Sequence, residues 1–388
     1  MDFGNTMRFN YFKNYISIFT ALLFICKADA ITAQSIENAD SLLEHYYSQL
    51  PDDSSKVIDL YKKGFDARDK DISIAFAYAK TCEEAANNTK HPYLIAKANT
   101  LLGILCFRTG KLKKALEYHK KSLEIREKIN DKSGIASCKI NIANVFSDLN
   151  KKKEAEEYYL QALQLFNEMG NLKEKANALN NIGILKFEAE QYELAKKYFL
   201  QSLTIGEKLN DYELKAFCYN NIGTVLEIEK NFLEAKAYYE DALELRELMD
   251  KQIDMVDSYE NIASVAFELN DIKQAKTLLV KAKNISEQNN YVEGNLSIYN
   301  LFKDIYLKEK KYDSAMYYQS LYYQQKETIL ADLEEDMVSP NTNEDFIESK
   351  QLVDNLREEN YTLKYLIGVL IVFLIIAGLL LFKKSKDE

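Results

Sequence analysis

Few side chains in this sequence stand where chemistry would need them. The three histidines, His45, His91 and His119, are scattered along the chain. Cys82, Cys106, Cys138 and Cys218 form no C-x-x-C pair and share no metal-ligand spacing with a histidine. There is no glycine loop to cradle a phosphate, no G-x-S-x-G elbow and no H-E-x-x-H helix. Adjacent carboxylates occur at Glu334-Glu335 and Glu358-Glu359, but in charged, helix-forming stretches where a solvated face is the simpler account. The expectation is a protein that is not an enzyme, with no catalytic residue, no cofactor and no metal. What remains are amides and aromatics that recur: Asn141, Asn181, Asn221 and Asn261, and Tyr78, Tyr118, Tyr158, Tyr198, Tyr238 and Tyr318.

The recurrence extends along most of the chain. Ala75, Ala115, Ala155, Ala195, Ala235, Ala275 and Ala315 are spaced by 40 residues. Ahead of the central ones stand Gly103, Ala143, Gly183, Gly223 and Ala263, and after them Cys82, Ser122, Ala162, Ser202, Ala242 and Ala282, with Tyr322 breaking the series. Coupled columns of this kind mark an internal repeat. Within one period, Ala178, Leu179, Ile182, Leu185 and Phe187 predict a helix over Glu174–Ala189. Ala195, Phe199, Leu203 and Ile205 predict a second over Tyr192–Leu209, after a turn near Glu190-Gln191. Asn130-Asp131, Gly170-Asn171, Asn210-Asp211 and Asn289-Asn290 read as junctions between repeats. Only 3 prolines and 12 glycines are present, and none of the prolines lies between Pro92 and Pro340, so nothing there forbids helix.

In such an array the small columns are places where helices cross closely and a larger side chain would overfill the site. The asparagine column falls just before the small residue, where it would satisfy backbone groups between helices. The tyrosines suit a half-buried face. Cys138 and Cys218 share the repeat position of Ala98 and Ala178, and His119 takes the place of Tyr159, Phe199 and Tyr239. Packing accounts for all three.

The arrangement N-N-I-G-x11-A-x3-F/Y-x2-S/A-L at Asn180 to Leu203 and Asn220 to Leu243 resembles the tetratricopeptide repeat. The resemblance covers 55–330, roughly seven units with the first and last degenerate. The period is 40 residues rather than the family's ~34, and the proline that commonly ends a repeat is absent, which implies longer helices. The resemblance implies an all-α, right-handed α-solenoid whose first helices line a concave groove. Carried over by position, the groove residues of the first full unit are Lys97, Thr100, Ile104 and Phe107. The middle units supply Ile140 and Asn144, then Asn180, Ile184 and Phe187. Asn220 and Thr224 follow, then Glu260, Ser264 and Phe267, and last Asn300. Amides mixed with a few apolar groups suit an extended peptide backbone. Clamping a terminal carboxylate would need more basic residues than Lys97 and Arg108.

The two ends read differently. Residues 1–33 carry Arg8 and Lys13 before an apolar Tyr15–Cys26 stretch, as in a secretory signal cleaved after Ala30 or Ala33. Leu366–Phe382 is uninterruptedly apolar or small, flanked by Tyr365 and by Lys383, Lys384 and Lys386, and predicts one transmembrane helix. The expected order is signal (1–33), N-terminal segment (34–54), repeat array (55–330), helical linker (331–364), span (365–382) and cytosolic tail (383–388). That order implies a single-pass inner-membrane protein with its array in the periplasm. Residues 344–366 offer weak self-pairing at most. With 50 basic against 60 acidic residues, nucleic acid is not an expected partner. The functional expectation is a membrane-anchored scaffold for a protein or extended peptide. Its alternative is the sensory part of a signal-transduction receptor whose kinase or regulator output lies elsewhere.

Overall fold

The computed structural model describes residues 54–68, 71–289 and 291–337. Among them the regular structure is entirely α-helical, in fourteen helices. The first six are α1 (Ser54–Ala67), α2 (Ile72–Thr89), α3 (Pro92–Arg108), α4 (Leu112–Lys128), α5 (Lys132–Asp148) and α6 (Lys152–Glu168). Then come α7 (Leu172–Glu188), α8 (Tyr192–Leu209), α9 (Tyr212–Ile228) and α10 (Phe232–Leu248). The last are α11 (Gln252–Glu268), α12 (Ile272–Gln288), α13 (Val292–Lys308) and α14 (Tyr312–Met337). The chain divides into two compact units, Met1–Lys326 and Glu327–Glu388, and the repeats belong to the first.

The long period comes from the way each helix stops. Left-handed residues stand twenty apart from Lys90 through Gly110, Asn130, Asn150, Gly170, Glu190, Asn210, Lys230 and Asp250 to Asn270, and another stands forty further on at Lys310. Around Gly110, the Gly110 N–H donates to the Phe107 carbonyl at 3.1 Å and the Lys111 N–H to the Cys106 carbonyl at 2.8 Å. This closes the helix with its last carbonyls paired. The next helix starts at once. Asp131, Asn171 and Asp211 accept from the N–H of Gly134, Glu174 and Leu214, which caps α5, α7 and α9. At these three junctions, Asn130-Asp131, Gly170-Asn171 and Asn210-Asp211, one residue ends a helix and the next opens another without proline.

Consecutive helices pack as antiparallel neighbours, and the expected small columns lie between them. Ala75, Ala115, Ala155, Ala195, Ala235 and Ala275 have no exposed surface. A Cβ built on Gly183 would stand 2.5 Å from the Phe199 ring, and one on Gly223 would stand 2.7 Å from Tyr239. A Cβ on Gly103 would meet His119 at 2.5 Å, so the histidine occupies the aromatic's place. First helices of successive repeats also touch one another directly (α1 with α3, α3 with α5, α7 with α9, α11 with α13), while second helices make no comparable contact with the next second helix. Hydrogen bonds from Ser147 to Glu188 and from Asn261 to Asn220 bridge α5 to α7 and α9 to α11, so the first helices form one connected face.

The expected transmembrane helix requires correction. No helix among the described residues is long and apolar enough to cross a membrane. The longest, α14, has 26 residues but carries Asp313, Lys326 and Glu327. Among the described residues the architecture is an all-α helical repeat of fourteen helices with no membrane-spanning helix, and they do not support the single-pass inner-membrane placement. The stretches read as signal (1–33), as span (Leu366–Phe382) and as pairing segment (344–366) lie outside the described residues.

Candidate functional site

The first helices α3, α5, α7, α9, α11 and α13 hold every residue assigned to the groove from sequence. Thr100, Asn180, Ile184, Thr224 and Glu260 are buried. The others are half-buried.

Several of these side chains are already engaged with the protein. Thr100 Oγ1 donates to the Ala96 carbonyl at 3.0 Å and lies 2.9 Å from Ser122 Oγ, with Arg126 Nη2 at 3.4 Å. It belongs to an internal strut in which Arg126 pairs with Asp131 at 2.6 Å. Ile184 packs in a core cluster with Phe199, Leu203 and Ile222. Phe107 packs beside Cys106 and Ala115, and Ile140 beside Ile142 and Phe146. Phe187 meets Tyr192 edge-on at 5.4 Å. Lys97 lies 4.2 Å above the Tyr61 ring, and Lys308 4.4 Å above that of Phe267.

The asparagines bond to one another rather than to backbone. Asn221 Nδ2 donates to Asn180 Oδ1 at 2.9 Å, and Asn261 Nδ2 to Asn220 Oδ1 at 2.9 Å. Each such bond joins one first helix to the next. Where the acceptor is missing the ladder stops: Ile140 stands opposite Asn181 in this register. Thr100 stands opposite Asn141, whose buried Nδ2 has no partner. Asn144 Oδ1 accepts from the Tyr159 hydroxyl at 2.5 Å. Asn300 accepts from Lys303 Nζ at 2.7 Å, and Glu260 from the Ser297 hydroxyl at 2.6 Å.

The sequence reading missed the carboxylates at the ends of these helices. Glu227 is buried, accepting from the Tyr239 hydroxyl at 2.7 Å and from Ser264 at 2.9 Å. The Tyr239 hydroxyl oxygen also lies 3.2 Å from Thr224 Oγ1. Burial raises the Glu227 carboxyl above its usual range against the pull of those two hydroxyls. Asp148 and Glu188 hold equivalent places in α5 and α7. Burial, then the charge of Glu188, pushes Asp148 up to about 8. Glu188 is also raised by burial, with Lys152 opposing. Tyr159 is raised by burial and then by both carboxylates. The sequence signal was available, since Asp148 and Glu188 are one period apart. Read along the chain, however, each looks like an ordinary solvated charge. Among the described residues no group of three or more His, Cys, Asp or Glu is placed to hold a metal ion.

Similarity to known proteins falls on the same helices. Residues 94–168 and 174–247 match one tetratricopeptide repeat model, and 256–289 match another. No curated protein sequence is detectably similar to the chain. The fold is similar to that of a signal-transduction ATPase with a tetratricopeptide repeat sensor from Pyrococcus horikoshii, at 15% identity and a TM-score of 0.58. That match covers 78% of this chain and 46% of the other, so the chain spans about half of it. NprR, solved with its cognate peptide NprX, is similar at 20% identity and a TM-score of 0.53, over 86% of this chain and 96% of that one. A Rap protein complexed with competence and sporulation factor is similar at 14% identity and a TM-score of 0.54, over 90% and 99%. At these identities the likeness is one of fold. The chain carries tetratricopeptide repeats over residues 94–168, 174–247 and 256–289.

Proposed function

We propose that the chain is a non-enzymatic scaffold that holds an extended peptide or protein segment along the connected face of its first helices. The observation that carries this reading is the row of half-buried polar groups on that face, Asn144, Asn220, Ser264 and Asn300, presented from α5, α9, α11 and α13. Amides and hydroxyls both donate and accept, as pairing with a peptide backbone requires. The fold likeness to NprR and a Rap protein, each solved with a bound partner, supports it. The residues first assigned to the groove enter this proposal unequally. Lys97, Ile104, Phe107, Ile140, Phe187 and Phe267 supply the flanking apolar and basic surface, and the buried ones hold the face in register.

Selection of extended peptides on the full-length chain tests the reading. Combined Asn144→Ala, Ser264→Ala and Asn300→Ala substitutions weaken the selected peptides by about fivefold per hydrogen bond lost. Leu160→Ala with Leu200→Ala, on exposed positions of second helices, leaves affinity unchanged. The reverse outcome refutes the assignment of this face.

A further inference from the structure

Charge is spread unevenly along the array, and its basic share gathers at two adjoining helix turns. Residues 111–153 hold 12 basic and 5 acidic residues, in a chain whose net charge is −10. Lys111, Lys113 and Lys114 stand at the turn from α3 into α4, and Lys151, Lys152 and Lys153 at the turn from α5 into α6. Leu112 and Leu149 pack in one cluster with Val145, so the two turns adjoin. Lys120 of α4 reaches toward the second turn. Its Nζ lies 5.9 Å from the centre of the Phe146 ring, and Lys151 Nζ lies 5.8 Å from the same ring. Lys113, Lys120, Lys151 and Lys153 are exposed, and Lys111 is half-buried.

The acids of this stretch do not offset the band. Glu117, Glu124 and Asp131 pair with Lys121, Lys128 and Arg126 at 2.7, 2.6 and 2.6 Å, all beyond the first turn of α4. Lys152 is used inside the protein, donating to the Glu188 carbonyl at 2.6 Å. Helix stability does not call for lysines at these turns either, since a cation in the first turn opposes the helix dipole. There α8 and α10 carry Glu193 and Glu234, whereas α4 has no acid. The band is also bounded. Asp66 and Asp71 flank the α1–α2 turn before it, and Glu190 and Glu193 the α7–α8 turn after it. A long duplex or a membrane surface would run onto those acids, whereas a short acidic segment meets only the lysines. Neighbouring helices pack about 8–10 Å apart, which puts turns separated by one helix within about 20 Å. That is the span of some six extended residues.

We propose that the adjoining α3–α4 and α5–α6 turns form a docking surface for a short acidic segment of a partner polypeptide, whose carboxylates pair with Lys111, Lys120, Lys151 and Lys153. The surface uses none of the residues assigned to the peptide-holding face, so the two stand or fall separately.

The test measures the anisotropy of a fluorescein-labelled hexaglutamate peptide, and of its hexaglutamine counterpart, with the full-length chain. At low salt the glutamate peptide binds at least about tenfold more tightly. The difference vanishes at ~1 M salt, where the Debye length is about 3 Å. Lys111→Gln, Lys120→Gln, Lys151→Gln and Lys153→Gln together abolish the preference with helicity unchanged by circular dichroism, and arginine at the same four positions keeps it. Lys197→Gln, Lys208→Gln, Lys230→Gln and Lys273→Gln together make the same charge change at exposed sites elsewhere in the array and leave the preference intact. A glutamate peptide that binds no better than the glutamine one, or equal losses in the two quadruple variants, overturns the surface. Tighter, lysine-dependent capture of a DNA duplex or of phosphatidylserine vesicles overturns it too, assigning the band to another polyanion. If the Asn144, Ser264 and Asn300 substitutions release the glutamate peptide while the first quadruple variant retains it, the docking surface fails and the peptide-holding face stands.

Discussion

His119 shows how one residue type changes meaning with its surroundings. Its ring is 1% exposed and packs over Gly103, where sister repeats place Phe199 or Tyr239. Burial holds it neutral, with a pKa lowered to about 3. Between that value and the ordinary 6.5, the unfolded chain binds a proton that the folded chain refuses. Stability contributed at neutral pH is therefore lost as pH falls through this window, by on the order of a few kcal/mol. His119→Phe should remove most of that acid sensitivity, seen as a smaller drop in unfolding midpoint between pH 7 and about pH 5. Asp148 has the opposite sign. Its folded pKa of about 8 lies above the ordinary 3.8, so the folded state binds the extra proton and stability falls as pH rises through that interval. Asp148→Asn should raise the denaturation midpoint at about pH 9 and do little near pH 4. Neither residue's state was legible from its letter. A histidine among tyrosines was read correctly as core, whereas nothing in the sequence singled out Asp148, because only the packing around the end of α5 buries it.

At the level of the helix, the terminators carry the period. Gly170 is left-handed, with φ of 66°, and a Cβ there would meet nothing within 4 Å. Gly170→Ala thus isolates backbone strain and should cost about 1 kcal/mol in denaturant unfolding. Lys230, with φ of 63°, carries that strain already, so Lys230→Gly should recover a similar amount. Gly183→Leu tests packing instead. With the Phe199 ring 2.5 Å from the Cβ position, it should destabilise by about 3 kcal/mol or more. The helices and junctions could be read from the sequence because period and turn chemistry are local. The α7 start, read at Glu174 and found at Leu172, differs because Asn171 caps it through the Glu174 N–H. The asparagine column was assigned to packing correctly in kind but not in partner. Its amides reach the side chains of Asn180 and Asn220 on the preceding first helix, a pairing that exists only once the repeats stack.

Across the whole array, stability is expected to sum over repeats and their neighbouring interfaces. Removing residues 172–211, one full period from one N-cap to the next, should leave helicity per residue unchanged by circular dichroism and lower the unfolding midpoint modestly. Removing 192–211, half a period, joins two first helices and should abolish cooperative unfolding. The sequence by itself determined the repeat, its helix pairs, their stops and the small positions at which they cross, because each depends on residues near one another in the chain. Tertiary structure alone decided which side chains of the first helices stay available. Thr100 and Asn180 were drawn into bonds between helices while Asp148 and Glu188 were pressed together at the ends of α5 and α7, since burial and pairing depend on neighbours a whole repeat away.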